Sequence, residues 1–435
     1  MKIPPRIAVP AALAAGCTGA LLFFLWWQLA SSLPGTLPPD TVLPQTASGE
    51  TLTQGNPVPV DSRDQALLHL RQGDLFAVRG EWKDAEQEFD QAVKAGGGLP
   101  ALRKLVLAKL QRRDMEGVRE TIRQLKAAGA RPEDTALIEN IVLLRSGELV
   151  EARKRLTEAA DSPHKHYGLA LLSIIEGNHA EAQKELKLVM EGWEPVLRSN
   201  ARTLQSAYDE FSLFPEGRDL HLITLLSRAL AQVQECELAL PLLAQVTREK
   251  DDYRDAWIVQ GYCELTTERA QQALVSLERA YNLNPEKPEI QYFLARTHSA
   301  LGQSDNAITF FEYALENGFE PKAEVRRLLA REALTKDDAA LALTQYDELT
   351  KEQDATIESF DGYISTAMAL DRKDEALAKA KEATVRFADT AHAWNLLGWV
   401  TSAMGQKAEA RTALTRALSI DPFLASAKER LEKVK

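Results

Sequence analysis

The sequence predicts an all-α fold, a right-handed α-solenoid of paired helices. Three observations carry that expectation. First, Trp257 and Trp394 each open a stretch that closes 28 residues later, on Pro285 and Pro422, with small residues at the same offsets: Gly261, Ala273 and Ala280 in one, Gly398, Ala410 and Ala417 in the other. Second, the two stretches begin 137 residues apart, room for four whole units of about 34 residues, the period of helix pairs that cannot bury an apolar face alone and stack on their neighbours. Third, apolar residues recur at helical spacing with no strand-like alternation, in a chain of 435 residues that is 45% hydrophobic and 26% charged.

Residues 1–33 read as a cytoplasmic tip and one transmembrane helix. No charged residue occurs from Ile7 to Leu33, and the run culminates in Leu21-Leu22-Phe23-Phe24-Leu25-Trp26-Trp27. That is long enough for a bilayer core, which asks for about 20 residues, and it ends in an interfacial tryptophan pair. A signal peptide cut near Leu29-Ala30-Ser31-Ser32 competes, although the run is longer than a usual signal core. Lipidation at Cys17 fits less well, because the most apolar residues follow it. Lys2 and Arg6 precede the span and the next basic residue is Arg63, which places the N-terminus inside and the rest in the periplasm or outside the cell. The expected location is therefore the inner membrane, single-pass. No Asn-x-Ser/Thr acceptor occurs, consistent with a bacterial protein. Residues 34–60 hold Pro34, Pro38, Pro39, Pro44, Pro57 and Pro59 with almost no charge, a tether able to reach roughly 80 Å if fully extended.

Residues 61–196 read as N-terminal repeat units. Ala66 to Leu99 carries Gly73, Phe76, Gly80, Ala85, Phe89 and Ala92 at the repeat offsets. Leu99 to Pro132 is degenerate, with Val106, Val118 and Leu125 where small residues belong, whereas the units from Glu133 (Gly147, Ala152) and from Pro163 (Gly177, Ala182) are recognisable again. Residues 197–219, with Phe211, Phe214 and the turn signal Pro215-Glu216-Gly217, break the period; they read as an irregular helical insert or degenerate repeat, or as a hinge. Residues 220–424 hold the regular C-terminal units, one from Leu220 and five in phase from Arg254, Pro288, Ala323, Ile357 and Ala391, with one extra residue near Pro321. Gly302 and Gly405 mark turns, and the Asn284-Pro285 and Asp421-Pro422 steps end helices that proline cannot continue. Residues 425–435, rich in Lys and Glu, read as the polar capping helix of an open end.

The last unit places Trp394, Leu397, Gly398, Ala410, Leu414, Ala417 and Pro422 in an order that resembles the tetratricopeptide repeat, lacking only an aromatic residue where Thr401 stands. That resemblance implies a concave groove lined by the second, fifth, ninth, twelfth and thirteenth positions of each first helix. Carried onto this chain it nominates Tyr262, Tyr292, Arg296, Arg327, Arg331, Asn395 and Trp399 as partner-binding candidates. Within it, Tyr292 with Arg296 and Arg327 with Arg331 are one helical turn apart. Asp361 and Ser365 interrupt the Lys and Asn pattern of repeats that clamp a terminal carboxylate. The implied function is a membrane-anchored scaffold holding a protein or peptide, an envelope or secretion-complex assembly factor. The alternative is a cytoplasm-facing adaptor similar to those of lipopolysaccharide assembly.

Other functions find little support. A net charge of −11 disfavours nucleic acid. Only the repeat from Leu99 to Pro132 is basic, by nine Lys or Arg against three acids, which suits a solvated face or one leaning on anionic head groups. There is no phosphate loop, nucleophile elbow or zinc-protease motif, so no enzyme, cofactor or metal site is expected. His164 and His166 sit two apart, on different sides of a helix. Asp251-Asp252 and Asp337-Asp338 read as caps and turns. Cys236 and Cys263 fall in successive units, as buried thiols or as a disulfide. The oligomeric state is left open.

Overall fold

The structure, a computed structural model, describes residues 62–213 and 217–434. The expected membrane span and tether, residues 1–33 and 34–60, lie outside the described residues. Among those described, every element is a helix, and none is long and apolar enough to cross a membrane. The chain divides into two compact units, ending at Thr267 and beginning at Glu268.

In the first unit the helices pair in sequence order: α1 (Ser62–Val78) with α2 (Trp82–Lys94), α3 (Gly98–Gln111) with α4 (Met115–Ala127), α5 (Pro132–Arg145) with α6 (Leu149–Glu158), and α7 (Pro163–Ile175) with α8 (His179–Glu191). Then comes α9 (Pro195–Ser212), followed by the pair α10 (Asp219–Gln232) and α11 (Cys236–Glu249), and by α12 (Arg254–Thr266). The second unit holds α13 (Ala270–Leu283), the pairs α14 (Pro288–Ala300) with α15 (Ser304–Glu316), α16 (Lys322–Thr335) with α17 (Ala339–Lys351), α18 (Ile357–Ala369) with α19 (Lys373–Arg386), α20 (Ala391–Ala403) with α21 (Lys407–Ile420), and last α22 (Ala425–Val434).

Small residues set how closely the helices of a pair approach. A methyl group on Gly73 would lie 2.5 Å from the Phe89 ring, and one on Gly398 2.5 Å from Leu414 Cγ, so the large side chain of the second helix sits directly on the glycine of the first. Gly302 and Gly405 turn the chain between helices with φ of 70° and 78°, the left-handed region open to glycine. Asp338 accepts from the Leu341 amide at 3.0 Å and caps α17. The two tryptophans that mark the repeat behave alike: Trp257 Nε1 donates to the Asp251 carbonyl and Trp394 Nε1 to the Ala388 carbonyl, each six residues back and at 2.8 Å. Both indoles are half-buried and latch the incoming loop onto the helix.

Of the segment that breaks the period, residues 197–212 lie in one 18-residue helix, α9, which packs on both α8 and α10, and Phe214, Pro215 and Glu216 lie outside the described residues. Val196, Leu197, Ala201, Leu204, Ala207 and Tyr208 bury one face of α9. Leu197, Ala201 and Leu204 join a core that runs without interruption from Leu143 to Cys263. This helix therefore packs into the core of the first unit.

The basic repeat is also resolved by its neighbours. Eight of its nine cations are ion-paired: Arg103 to Asp134, Lys104 to Asp74, Arg112 to Glu86, Lys126 to Glu139 and Arg119 to Glu148 reach neighbouring helices, and Arg123 and Arg131 are bound locally to Glu120 and Asp134. The eighth, Arg113, bonds Glu237 far along the chain. These side chains bind flanking repeats, so the face that could have leaned on lipid head groups is largely neutralised within the protein.

Arg113 belongs to a closure of the first unit on itself. Arg145, at the end of α5, donates from Nε to Glu235 at 2.9 Å and from Nη2 to the Gln234 carbonyl at 3.2 Å, while Arg113 from the α3–α4 turn bonds Glu237 and the Thr266 carbonyl. Arg145 and Glu235 are both buried. Burial works against the Arg145 charge, and Glu235 beside it, outweighing burial, raises the guanidinium pKa above its usual value.

In the second unit, Tyr292, Phe311, Val325 and Leu329 form one core cluster and Phe360, Ile364, Ala380, Leu396 and Val400 another. α22 closes the end by burying Ala427 and Val434 against Leu414 and Ala417.

Candidate partner-binding site

First helices in the second unit touch through a recurring hydrogen bond, made from α14 to α16, from α18 to α20 and from α20 to α22. Counted from Pro288, Ala323, Ile357, Ala391 and Ala425, the fifth residue of one unit reaches the second residue of the next. Tyr292 donates its hydroxyl to Glu324, Asp361 pairs with His392 Nε2 at 3.1 Å, and Asn395 donates to Ser426 Oγ of α22 at 3.0 Å. The hydrogen bond from His392 holds the Asp361 carboxyl below its usual pKa.

That repeat of contacts decides what each candidate can do. Tyr292 is buried, stacked on Phe319 with ring centroids 4.2 Å apart, and burial raises its hydroxyl pKa. Asn395 is buried and also accepts from Arg430 at 2.9 Å. Both are internal connectors between repeats and present no free side chain to a ligand. Trp399 is half-buried beneath the Arg430 guanidinium, 5.0 Å from its ring centre. Burial lowers the Arg430 pKa, against the opposing pull of Asp361 and Glu429. Tyr262 is half-buried and lies in the first unit, apart from the other six in the second.

Three arginines remain exposed. Arg296 lies over the Tyr292 ring at 5.7 Å from its centre. Arg327 and Arg331, one helical turn apart on α16, are exposed, and neither side chain forms an ion pair among the described residues. Arg327 occupies the fifth position yet makes no bond to Glu358, the second residue of the next first helix, so the chain of internal contacts breaks at this cation. Sequence reasoning missed Arg430, which comes from the capping helix and reaches back over Trp399. The second-position residues Glu324, His392 and Ser426 could have been found from the period alone.

The histidine pair is structural. His166 bonds Glu185 at 2.6 Å and Asp161 at 2.9 Å, while His164 faces Glu194 at 3.1 Å. No group of three or more metal-ligating side chains occurs among the described residues.

A stack of helix pairs with exposed side chains carried on successive first helices defines a protein-interaction scaffold. Residues 224–289, 264–332 and 391–423 match the tetratricopeptide repeat family. No curated protein matches the chain. Among solved structures it is similar to YrrB, a TPR protein with an unusual peptide-binding site, at 17% identity over 44% of this chain and 97% of that one, with a TM-score of 0.38. It is also similar to a tetratricopeptide repeat protein from Parabacteroides merdae, at 16% over 62% and 98% with a TM-score of 0.33. A third is PilW, a type IV pilus biogenesis factor, at 16% over 49% and 99% with a TM-score of 0.37.

Proposed function

We propose that this tetratricopeptide scaffold is held at the inner membrane by residues 7–33 and binds an acidic segment of a protein partner along α14 and α16, as an assembly factor of an envelope or secretion complex. The observation that carries the binding site is the exposure of Arg327 and Arg331 without an internal anion, next to Arg296 on its tyrosine. Arginine in such a setting forms bidentate bonds to carboxylates and is favoured at interface hot spots. The anchor rests on an apolar run preceded by Lys2 and Arg6, which puts the repeats outside the cytoplasm.

Fluorescence anisotropy with a labelled Glu- and Asp-rich peptide tests the site. Arg327→Glu with Arg331→Glu should weaken binding by about tenfold to a hundredfold, the range expected on losing two charge-assisted contacts. The melting temperature should hold, because both side chains are exposed. Equal affinity of the variant, or equal affinity for a Lys-rich peptide, would sink the assignment. Alkaline phosphatase fused after Lys435 should be active in cells; activity only of a cytoplasmic reporter would reverse the topology.

A further inference from the structure

The first helix exposes a surface that every regular unit of the C-terminal repeats covers. Counted from Ala66, Leu68 and Leu75 are the third and tenth residues of their unit. The residues at those places later in the chain are Ala256 and Cys263, Ile290 and Thr297, Val325 and Glu332, Ser359 and Thr366, and Ala393 and Val400, all of them buried. They are buried because the second helix of the preceding pair lies on them: Val325 shares a cluster with Phe311 and Ala314, and Val400 with Ala380 and Ala383. Leu68 and Leu75 are 62% and 53% exposed, and Leu67 and Val78 flank them, also exposed. The opposite side of α1 is occupied, since Ala66, Gly73 and Ala77 are buried and Gly73 meets Phe89. Leu68 and Leu75 therefore form a ready-made stacking surface with no helix on it among the described residues.

We propose that this face is closed by the same face of a second copy, α1 packing antiparallel on α1 across a two-fold axis. The spacing along the helix is self-complementary, as such a contact requires. Asp64 stands four residues before Leu68, Leu75 seven after it, and Arg79 four beyond that. Laid antiparallel, Leu68 of one copy meets Leu75 of the other and Asp64 meets Arg79, twice each. At 100° per residue all four fall on one stripe, opposite Ala66, Gly73 and Ala77. Asp64 and Arg79 are exposed and form no ion pair among the described residues, so their charges are available to a partner. The chain's own preceding segment is the poorer occupant: residues 34–60 contain six prolines, and the longest proline-free stretch, 45–56, offers Leu52 as its one large apolar residue. A helix of 17 residues is about 25 Å long, so the contact is smaller than a standard interface and the dimer is expected to be weak, in the micromolar range.

Sedimentation equilibrium of the full chain in detergent, from about 1 to 100 μM, tests this against that micromolar expectation. The expected result is reversible dimerisation that weakens at least tenfold in Leu68→Glu, with an unchanged melting temperature because Leu68 is solvent-facing in one copy. Asp64→Arg and Arg79→Asp should each weaken the dimer, and the two together should restore it, an outcome that a general loss of folding cannot mimic. A monomer at every concentration would overturn the proposal. So would a dimer indifferent to Leu68→Glu and to the charge swap, and so would a monomer that Leu68→Glu destabilises, which would place another part of the same chain on α1.

Discussion

The Arg145 guanidinium and the Glu235 carboxylate meet at 2.9 Å inside the first unit, although 90 residues separate them in sequence. Both are nearly inaccessible to solvent, so neither can lose its partner without leaving a charge in a poorly solvated site. Arg145→Met should destabilise the first unit by about 3–5 kcal/mol, the usual effect of removing one member of a buried pair. Arg145→Met combined with Glu235→Leu should recover most of that loss, because no orphan charge remains. Urea titration of the three proteins checks it, read as the midpoint of the first-unit transition. Equal losses in the single and double variants would show that the pair matters only through packing.

The approach of α20 to α21 depends on Gly398. A methyl group there would lie 2.5 Å from Cγ and 2.7 Å from Cδ2 of the fully buried Leu414, atoms near the root of a side chain that has nowhere to go. Gly398→Ala should therefore cost about 1–3 kcal/mol through overpacking, despite the better helix propensity of alanine. Leu414→Ala in the same background should relieve part of the strain, a coupling that a double-mutant cycle measures. Additive losses would mean that the two residues do not meet.

Much of this architecture is legible in the sequence because the repeat reuses one packing solution. The unit starts expected at Arg254, Pro288, Ile357 and Ala391 are the first residues of α12, α14, α18 and α20, and the one expected at Ala323 falls one residue after the start of α16. What the period does not encode is company. Residues Pro195–Ser212 have a helical pattern like any other, and nothing in them says that α9 stands between α8 and α10 as one long helix. The family offsets nominate Tyr292 and Asn395 for the groove, yet whether they stay free depends on Glu324 and Ser426 one repeat later, which capture them. Arg327 and Arg331 follow the same offsets and remain exposed. The basic repeat looked anomalous by composition, and only the fold reveals that Asp74, Glu86 and Asp134 stand opposite its cations.

His179 links acid sensitivity to the packing of α8 on α9. Its Nδ1 lies 3.2 Å from the Tyr208 hydroxyl with the rings edge to face, and burial lowers its pKa below the usual 6.5, partly opposed by Asp219. The folded chain thus binds a proton here less readily than the unfolded one. The stability it supports is complete above about pH 6.5, the unfolded value, and is lost as pH falls through the lower folded value. His179→Gln should flatten the decline in melting temperature between about pH 7.5 and 5, where an unperturbed histidine would titrate. An identical decline in both proteins would assign the acid sensitivity elsewhere.

Cys236 and Cys263 are both fully buried free thiols at the start of α11 and near the end of α12. Burial pushes the Cys263 thiol well above its usual range, and the neighbouring Cys236 pushes in the same direction. The thiolate is the reactive form, so Cys263 is protected twice, by exclusion of reagent and by suppression of its nucleophile. Under native conditions at pH 8, iodoacetamide should leave Cys263 unmodified for as long as the first unit stays folded. In urea the rate should climb with the population of the open form. Peptide mapping by mass spectrometry at several urea concentrations reads this at Cys263 alone. Labelling at the rate of a free cysteine peptide without denaturant would show that α11 and α12 separate readily, and would undo the assignment of these thiols to a closed core.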